Sequence, residues 1–412
     1  MSGYRCRFCS GELRQSFCDL GMSPLSNAFV DPERLAESEL FFPLHVYVCH
    51  QCWLVQLPEH ESPQQIFDDR YAYFSSYSES WLAHARRYTE DMTERFGLDA
   101  RSLVVEIASN DGYLLQYFGQ RGVPALGIEP AENCAAVARS KSIETLTRFF
   151  GVATAGELAA EGRHADLLLG NNVLAHVPDL NDFVAGLPLL LKPRGVVTME
   201  FPHLLNLIRQ NQFDTIYHEH YSYLSLSTVE RIFAAHGLVV FDVQQLPTHG
   251  GSLRVFARHA ADTGKPVFPA VSTLREAEQE AGLESPAIYS AFGQRVREVK
   301  FKLLEFLIGA AREGKKVWGY GAPAKGNTLL NYCGIRGDLI QATVDRSPHK
   351  QGMHLPGTHI PIYSPELISE ARPDYLLILP WNLQEEIASQ MAHIRDWGGR
   401  FVVPIPDVRV LP

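Results

Sequence analysis

The chain has 412 residues, a formal net charge of −10, and 46% hydrophobic and 20% charged residues. That length exceeds one ordinary domain, and the composition is that of a globular protein with real cores. The acidic balance argues against a nucleic-acid partner held by phosphate contacts. No apolar run reaches the roughly 20 residues that cross a bilayer, and the opening MSGYRCRFCS lacks an apolar signal core. A cytoplasmic protein, working as a monomer on a small molecule, is expected. Seven cysteines in such a chain point to thiols or metal ligands rather than disulfides.

In chain order, residues 1–65 hold four of the seven cysteines and short alternating runs such as FFPLHVYVCHQC, which read as strands. A loop of small and polar residues (Gly21 to Asn27) interrupts them. A polar helical stretch follows near Tyr77 to Phe96. The runs SLVVEI, ALGIEP, ADLLLGNN and GVVTMEFP then alternate with helical segments, which predicts a parallel, doubly wound sheet. A charged helical tract from about Ser272 to Arg312 reads as a connector. KKVWGYGAPAKGNTLL opens a second α/β unit, continued by LIQATVDR and YLLILPWN. Three modules result, at 1–65, 66–295 and 296–412.

Cys6-x-x-Cys9 and Cys49-x-x-Cys52 form two knuckles that can close one tetrahedral zinc site. Four thiolates leave zinc no open position, so the metal would be structural. Cys18, Cys134 and Cys333 read as small buried hydrophobes.

After the strand that ends at Glu106, the turn Ala108-Ser109-Asn110-Asp111-Gly112 opens a helix, whose N-terminus adds hydrogen-bond donors. Glu129 ends the next strand, where a carboxylate would accept both hydroxyls of a ribose. This much suits NAD as well as S-adenosylmethionine. The turn is not GxGxxG, which disfavours a dinucleotide. The fourth run continues as Gly170-Asn171-Asn172-Val173-Leu174-Ala175-His176, and LLLKPRGVVTMEFP resembles the segment of Rossmann-like methyltransferases in which an LKPGG-type turn precedes the fifth strand. Glu106, Ser109, Asn110, Gly112, Glu129 and Asn171 are therefore the expected cofactor contacts.

Tyr217-His218-Glu219-His220-Tyr221-Ser222-Tyr223 is too densely polar for a core strand or core helix. Histidine is the natural general base near neutral pH, and a glutamate can orient its ring. A metal held by His218 and His220 is the rival reading. His176 sits at the carboxyl edge of the sheet, where α/β sites gather. His249-Gly250-Gly251-Ser252-Leu253-Arg254 combines close-approach glycines with a basic side chain and reads as a segment facing substrate. Gly319 to Asn327 resembles a nucleotide-binding turn, with Lys325 available for a diphosphate.

On the paired CxxC knuckles, EIASNDG, IYHEHYSY, HGGSLR and GYGAPAKGN, the chain resembles the sugar C-methyltransferases of deoxysugar and antibiotic pathways along nearly its whole length. The resemblance implies an α/β protein with an N-terminal zinc module, a central Rossmann-like methyltransferase domain using S-adenosylmethionine, and a C-terminal Rossmann-like domain that helps hold the substrate. It implies a dTDP-linked 4-keto deoxysugar methylated on a carbon beside its ketone, C-3 or C-5, of which C-3 is the expectation. It places the base at His220, with Glu219, Tyr217 and His176 around the sugar and Tyr71 closing the site. Tyr221, His249, Gly250, Lys325 and Asn327 are expected on the substrate. In a regular strand Tyr217 and Glu219 would face away from His220, so this segment must turn or bulge. The competing expectation is an NAD-dependent nucleotide-sugar epimerase or dehydrogenase using Gly319–Gly326, with Asp345 ending the next strand; a zinc-bearing adaptor is the non-enzymatic one.

Overall fold

The computed structural model describes residues 3–62 and 74–411. Tyr71 lies outside the described residues. The expected central sheet is present and has seven strands. In space they run Leu238–Leu246, Ser252–His259, Leu191–Pro202, Ala165–Asn171, Val104–Ile107, Ala125–Ile128, Glu144–Leu146. All are parallel except Ser252–His259, which is antiparallel to both neighbours. The strands Val104–Ile107 and Ala165–Asn171 are buried throughout, apart from half-buried Asp166, as expected for strands covered on both faces. Their neighbours in sequence lie on opposite sides of the pair, so the sheet reverses its winding between them and opens a crevice at their carboxyl ends.

The LKPRG turn takes an unexpected form. Ala165 registers with Leu191 and Leu167 with Val196, so Lys192 to Gly195 loop out as a bulge inside one long strand. Gly195 is required there, because a Cβ would stand 2.8 Å from the Ala165 carbonyl oxygen.

The C-terminal sheet runs Ile362–Tyr363, Thr343–Val344, Val317–Tyr320, Tyr375–Ile378, Arg400–Val403, Arg409–Leu411, parallel except for its last strand. This is a second winding about a switch point, as the alternation of runs implied. The charged tract before it forms the helices Pro269–Glu280 and Pro286–Arg312. The longer one is more than a connector. Tyr289, Phe292, Val296, Val299, Leu303 and Leu307 recur at helical spacing and are buried. Phe17 of the N-terminal module stacks on Phe292 with ring centroids 4.6 Å apart.

The N-terminal sheet consists of Gln15–Ser23, Phe42–Val48 and Val55–Gln56, all antiparallel, and its fourth strand comes from far along the chain. Val55 pairs with Tyr223 and Gln56 with Ser222. The zinc module is thereby hydrogen-bonded to the segment that follows His220.

Candidate functional site

The four cysteine sulfurs gather as the spacing requires. All lie within 4.8 Å of one another, with Cys6–Cys52 and Cys9–Cys49 at 3.5 Å. A zinc tetrahedron with Zn–S near 2.3 Å has edges of about 3.8 Å, so the thiols fit the ion. Each knuckle turns in the same way. Ser10 donates its N–H to the Cys6 carbonyl and Trp53 to that of Cys49, and both residues adopt positive φ (60° and 62°). Gln56 donates from Nε2 to the Cys6 sulfur at 3.1 Å, the kind of hydrogen bond that steadies a thiolate ligand. Cys18, Cys134 and Cys333 are buried, as expected.

The crevice at the sheet's switch point is lined with oxygen. Ala108, Asn110 and Gly112 all take positive φ, which coils the loop tightly. A Cβ at Gly112 would meet Ile143 at 2.4 Å. Glu129 accepts the N–H groups of Asn110 (2.8 Å) and Ala131 (2.9 Å), one on each carboxylate oxygen, and each oxygen keeps a further lone pair. Burial pushes its carboxyl up to about 7, against those two hydrogen bonds. Glu106 is fully buried with Tyr113 as its polar neighbour, and burial raises its carboxyl well above the usual range. The Ser109 hydroxyl, Asp111 Oδ1, Asn171 Oδ1 and Asn172 Oδ1 are buried without hydrogen-bond partners among the described residues. Lys141, the cation at this loop, is committed to the Asp111 carbonyl (2.7 Å) and carboxylate.

Orphaned acceptors and carboxyls fit a ligand rich in donors and positive charge. S-adenosylmethionine offers a ribose diol, an ammonium group and a sulfonium. A pyrophosphate, itself an acceptor, would meet mostly acceptors here.

The Tyr217–Tyr223 run folds as a turn, which resolves the strand-face conflict. The N–H of His220 donates to the Tyr217 carbonyl at 2.9 Å, and Tyr221 N–H to Ala175. The Tyr217 ring lies 3.9 Å from His220, and the His176 ring meets His220 edge-on at 4.6 Å. His220 Nδ1 is 2.7 Å from the Thr215 carbonyl oxygen. A carbonyl only accepts, so Nδ1 carries the hydrogen and Nε2 keeps a lone pair. Burial, then the neighbouring His176, Lys325 and His249, holds His220 well below the usual histidine range. Burial likewise sets His176 at about 4.

Other residues of the run look elsewhere. Glu219 accepts from Asn27 Nδ2 at 2.6 Å, and burial lifts its carboxyl to about 7. Tyr221 is turned toward the zinc module, with its hydroxyl on the Glu61 carbonyl (3.1 Å) and Arg7 over its ring. The His218 ring faces Phe42 and His60 rather than His220, and the thiol cluster at the knuckles is the metal-binding group found among the described residues.

His249 sits at φ 53° with Nε2 2.9 Å from Asn172 Nδ2. The glycines beside it make room for protein. A Cβ on Gly250 would meet the Trp381 ring at 2.5 Å, and one on Gly251 would meet Asn206 at 2.4 Å. Arg254, read as facing substrate, is instead buried on the sheet, where it donates to Glu200 at 2.6 Å. Its charge is satisfied there, which removes it from any ligand.

In the C-terminal loop, Lys325 is half-buried by area while its ammonium lies deep, over the Trp381 ring and donating to Asn382 Oδ1 at 2.8 Å. Asn327 spends its Nδ2 on the Ser26 carbonyl at 2.6 Å. Asp345 accepts the N–H groups of Ala322 (2.7 Å) and Ser347 (2.8 Å), so the acid a dinucleotide ribose would need is engaged by the chain. Three contributors were not foreseen: Asn27, Asp214 and Trp381. The available signal was Trp381 itself, a tryptophan just past the carboxyl end of YLLIL.

Three family models match successive stretches of the chain, the last beginning at residue 247 rather than at the expected 296. A zinc binding domain family matches residues 6–67, "Methyltransferase domain" matches 81–243, and "C-methyltransferase C-terminal domain" matches 247–406. C-methyltransferase NovU of Streptomyces niveus is 39% identical over 406 residues, covering 98% of this chain and 96% of that protein. A ubiquinone biosynthesis O-methyltransferase of Azorhizobium caulinodans is 30% identical over 114 residues, 26% of this chain and 45% of that one. Among solved structures, magnesium protoporphyrin IX methyltransferase of Synechocystis PCC 6803 covers 43% of this chain and 82% of its own, at 15% identity. Its TM-score of 0.34 is too low to bear on the fold. With a relative matched almost end to end and three family models matched in succession, the chain belongs to the S-adenosylmethionine-dependent C-methyltransferases.

Proposed function

We propose that the enzyme methylates a dTDP-linked 4-keto deoxysugar on the carbon beside its ketone, at C-3, with His220 as general base. The observation that carries this reading is the His220 tautomer, with Nδ1–H held by the Thr215 carbonyl and Nε2 left as the basic nitrogen. A proton beside a ketone is acidic because the carbanion is an enolate, and a buried neutral imidazole can remove it. Tyr217 and His176, in ring contact with His220, are the neighbours suited to donate to the developing oxyanion. Glu219, buried and turned to Asn27, supports the turn from behind, and Lys325 offers positive charge to the nucleotide diphosphate. When bound in the acceptor-lined crevice, S-adenosylmethionine supplies an electrophilic methyl group.

The NAD-dependent alternative at Gly319–Gly326 has less support, since Asp345 is engaged by its own loop and this region matches a C-methyltransferase family. Incubation with S-adenosylmethionine and a panel of dTDP-4-keto sugars, read by mass, tests the proposal. One added methyl on the sugar is expected, and a panel left unmodified by an enzyme that binds the cofactor counts against the substrate class. His220→Asn is expected to leave cofactor binding intact and lower turnover by roughly 10²–10⁴-fold. Near-normal turnover would remove His220 as base.

A further inference from the structure

The segment before the catalytic turn is held by the opposite domain. Phe213–Thr215 is a single 3-10 turn, and its last carbonyl is the one that accepts the hydrogen bond from His220 Nδ1–H. The turn closes locally through the Thr215 N–H on the Gln212 carbonyl (3.2 Å) and the Ile216 N–H on that of Phe213 (3.0 Å), with Asp214 at its centre. Asp214 Oδ2 accepts from Trp381 Nε1 at 2.6 Å, and both groups are buried. One residue past the turn, the Ile216 carbonyl accepts from Thr328 Oγ1 at 2.8 Å. Trp381 follows the strand Tyr375–Ile378, and Thr328 lies on the helix Ala324–Cys333. The C-terminal domain thus grips this short segment at two points, and Phe213 adds an edge-on ring contact with Tyr332 at 5.4 Å. The Trp381 ring is itself fixed, with the Lys325 ammonium over its face and the bare Gly250 backbone against its edge.

We propose that the C-terminal domain positions the general base: Trp381 through Asp214, and Thr328 through the Ile216 carbonyl, hold the Thr215 carbonyl where it fixes the tautomer and direction of His220. Trp381, Asp214 and Thr328 are positioning residues and touch no reacting atom. This inference rests on His220 being the base. A tautomer set by a second hydrogen bond is a general way to aim an imidazole, and an error of about 1 Å in a reacting group can cost roughly 100-fold in rate.

The test uses the full-length, zinc-loaded enzyme. Trp381→Phe keeps the ring and removes the N–H donor; Thr328→Val removes the hydroxyl at nearly constant volume. Each is expected to lower kcat roughly 10- to 100-fold while the Kd for S-adenosylmethionine stays near wild type. In a His220→Asn background the same substitutions should cost nothing further, because the group they position is gone. Two soluble, folded single variants with wild-type kcat would overturn the positioning role. So would an undiminished loss in the His220→Asn background, which would show that they act elsewhere. Full activity in His220→Asn alone would instead overturn the base assignment, so the two failures are distinguishable. Thr328→Val keeps the test informative should Trp381→Phe fold poorly.

Discussion

At the scale of single residues, the site works by taking ionisable groups out of water. Burial disfavours a charged imidazole, and His176, Lys325 and His249 add unfavourable positive charge or potential charge around His220. Tyr217 and Tyr223 complete its surroundings. In its proposed role as base His220 acts in the neutral form, whose population persists as pH falls through the ordinary histidine value near 6.5. The acid limb of a kcat profile measured from pH 5 to 9 should therefore lie below about 6.5. Lys325→Met removes a positive charge that opposes the imidazolium, so the limb should move upward. A wild-type limb at or above 6.5, or a downward move in the variant, contradicts this account.

At the scale of elements, the carboxyl end of Leu191–Pro202 carries a buried ion pair that sequence reading misassigned. Burial alone would raise the Glu200 carboxyl, but hydrogen bonds from His84 (3.0 Å) and Arg254 (2.6 Å), with the Arg254 charge, hold it at about 2. Its other oxygen accepts from Thr248 at 3.0 Å, next to His249. Arg254→Met strands a buried carboxylate, and chemical denaturation should show a loss of about 3–5 kcal/mol. Adding Glu200→Leu should recover most of it, because the pair removed together leaves no uncompensated charge. A single variant as stable as wild type would mean that water reaches Glu200. The arginine was misread because a basic side chain beside two glycines has the same letters whether it faces a ligand or pairs across a sheet. Strand register, which sets Arg254 opposite Glu200, decides between them.

At the scale of the molecule, the zinc module is a structural partner of the turn that carries His220. Cys49 and Cys52 lie directly before Val55–Gln56, which pairs with Ser222–Tyr223 two residues past His220. Chelation of zinc should therefore abolish methyl transfer together with a loss of secondary structure by circular dichroism, and added zinc should restore both. Activity that survives complete chelation would separate the metal from the turn.

The alternation of apolar runs was enough to read the doubly wound architecture, since a strand buried on both faces must be apolar along its length. The paired CxxC spacing was enough to read a closed four-thiolate site, because ligand geometry is local. The direction of Glu219 and the grip of Trp381 on Asp214 depend on groups 192 and 167 residues apart along the chain. No local pattern encodes such meetings. They arise only when the zinc module, the central sheet and the C-terminal domain close on one another, and the resulting burial gives these side chains their chemistry.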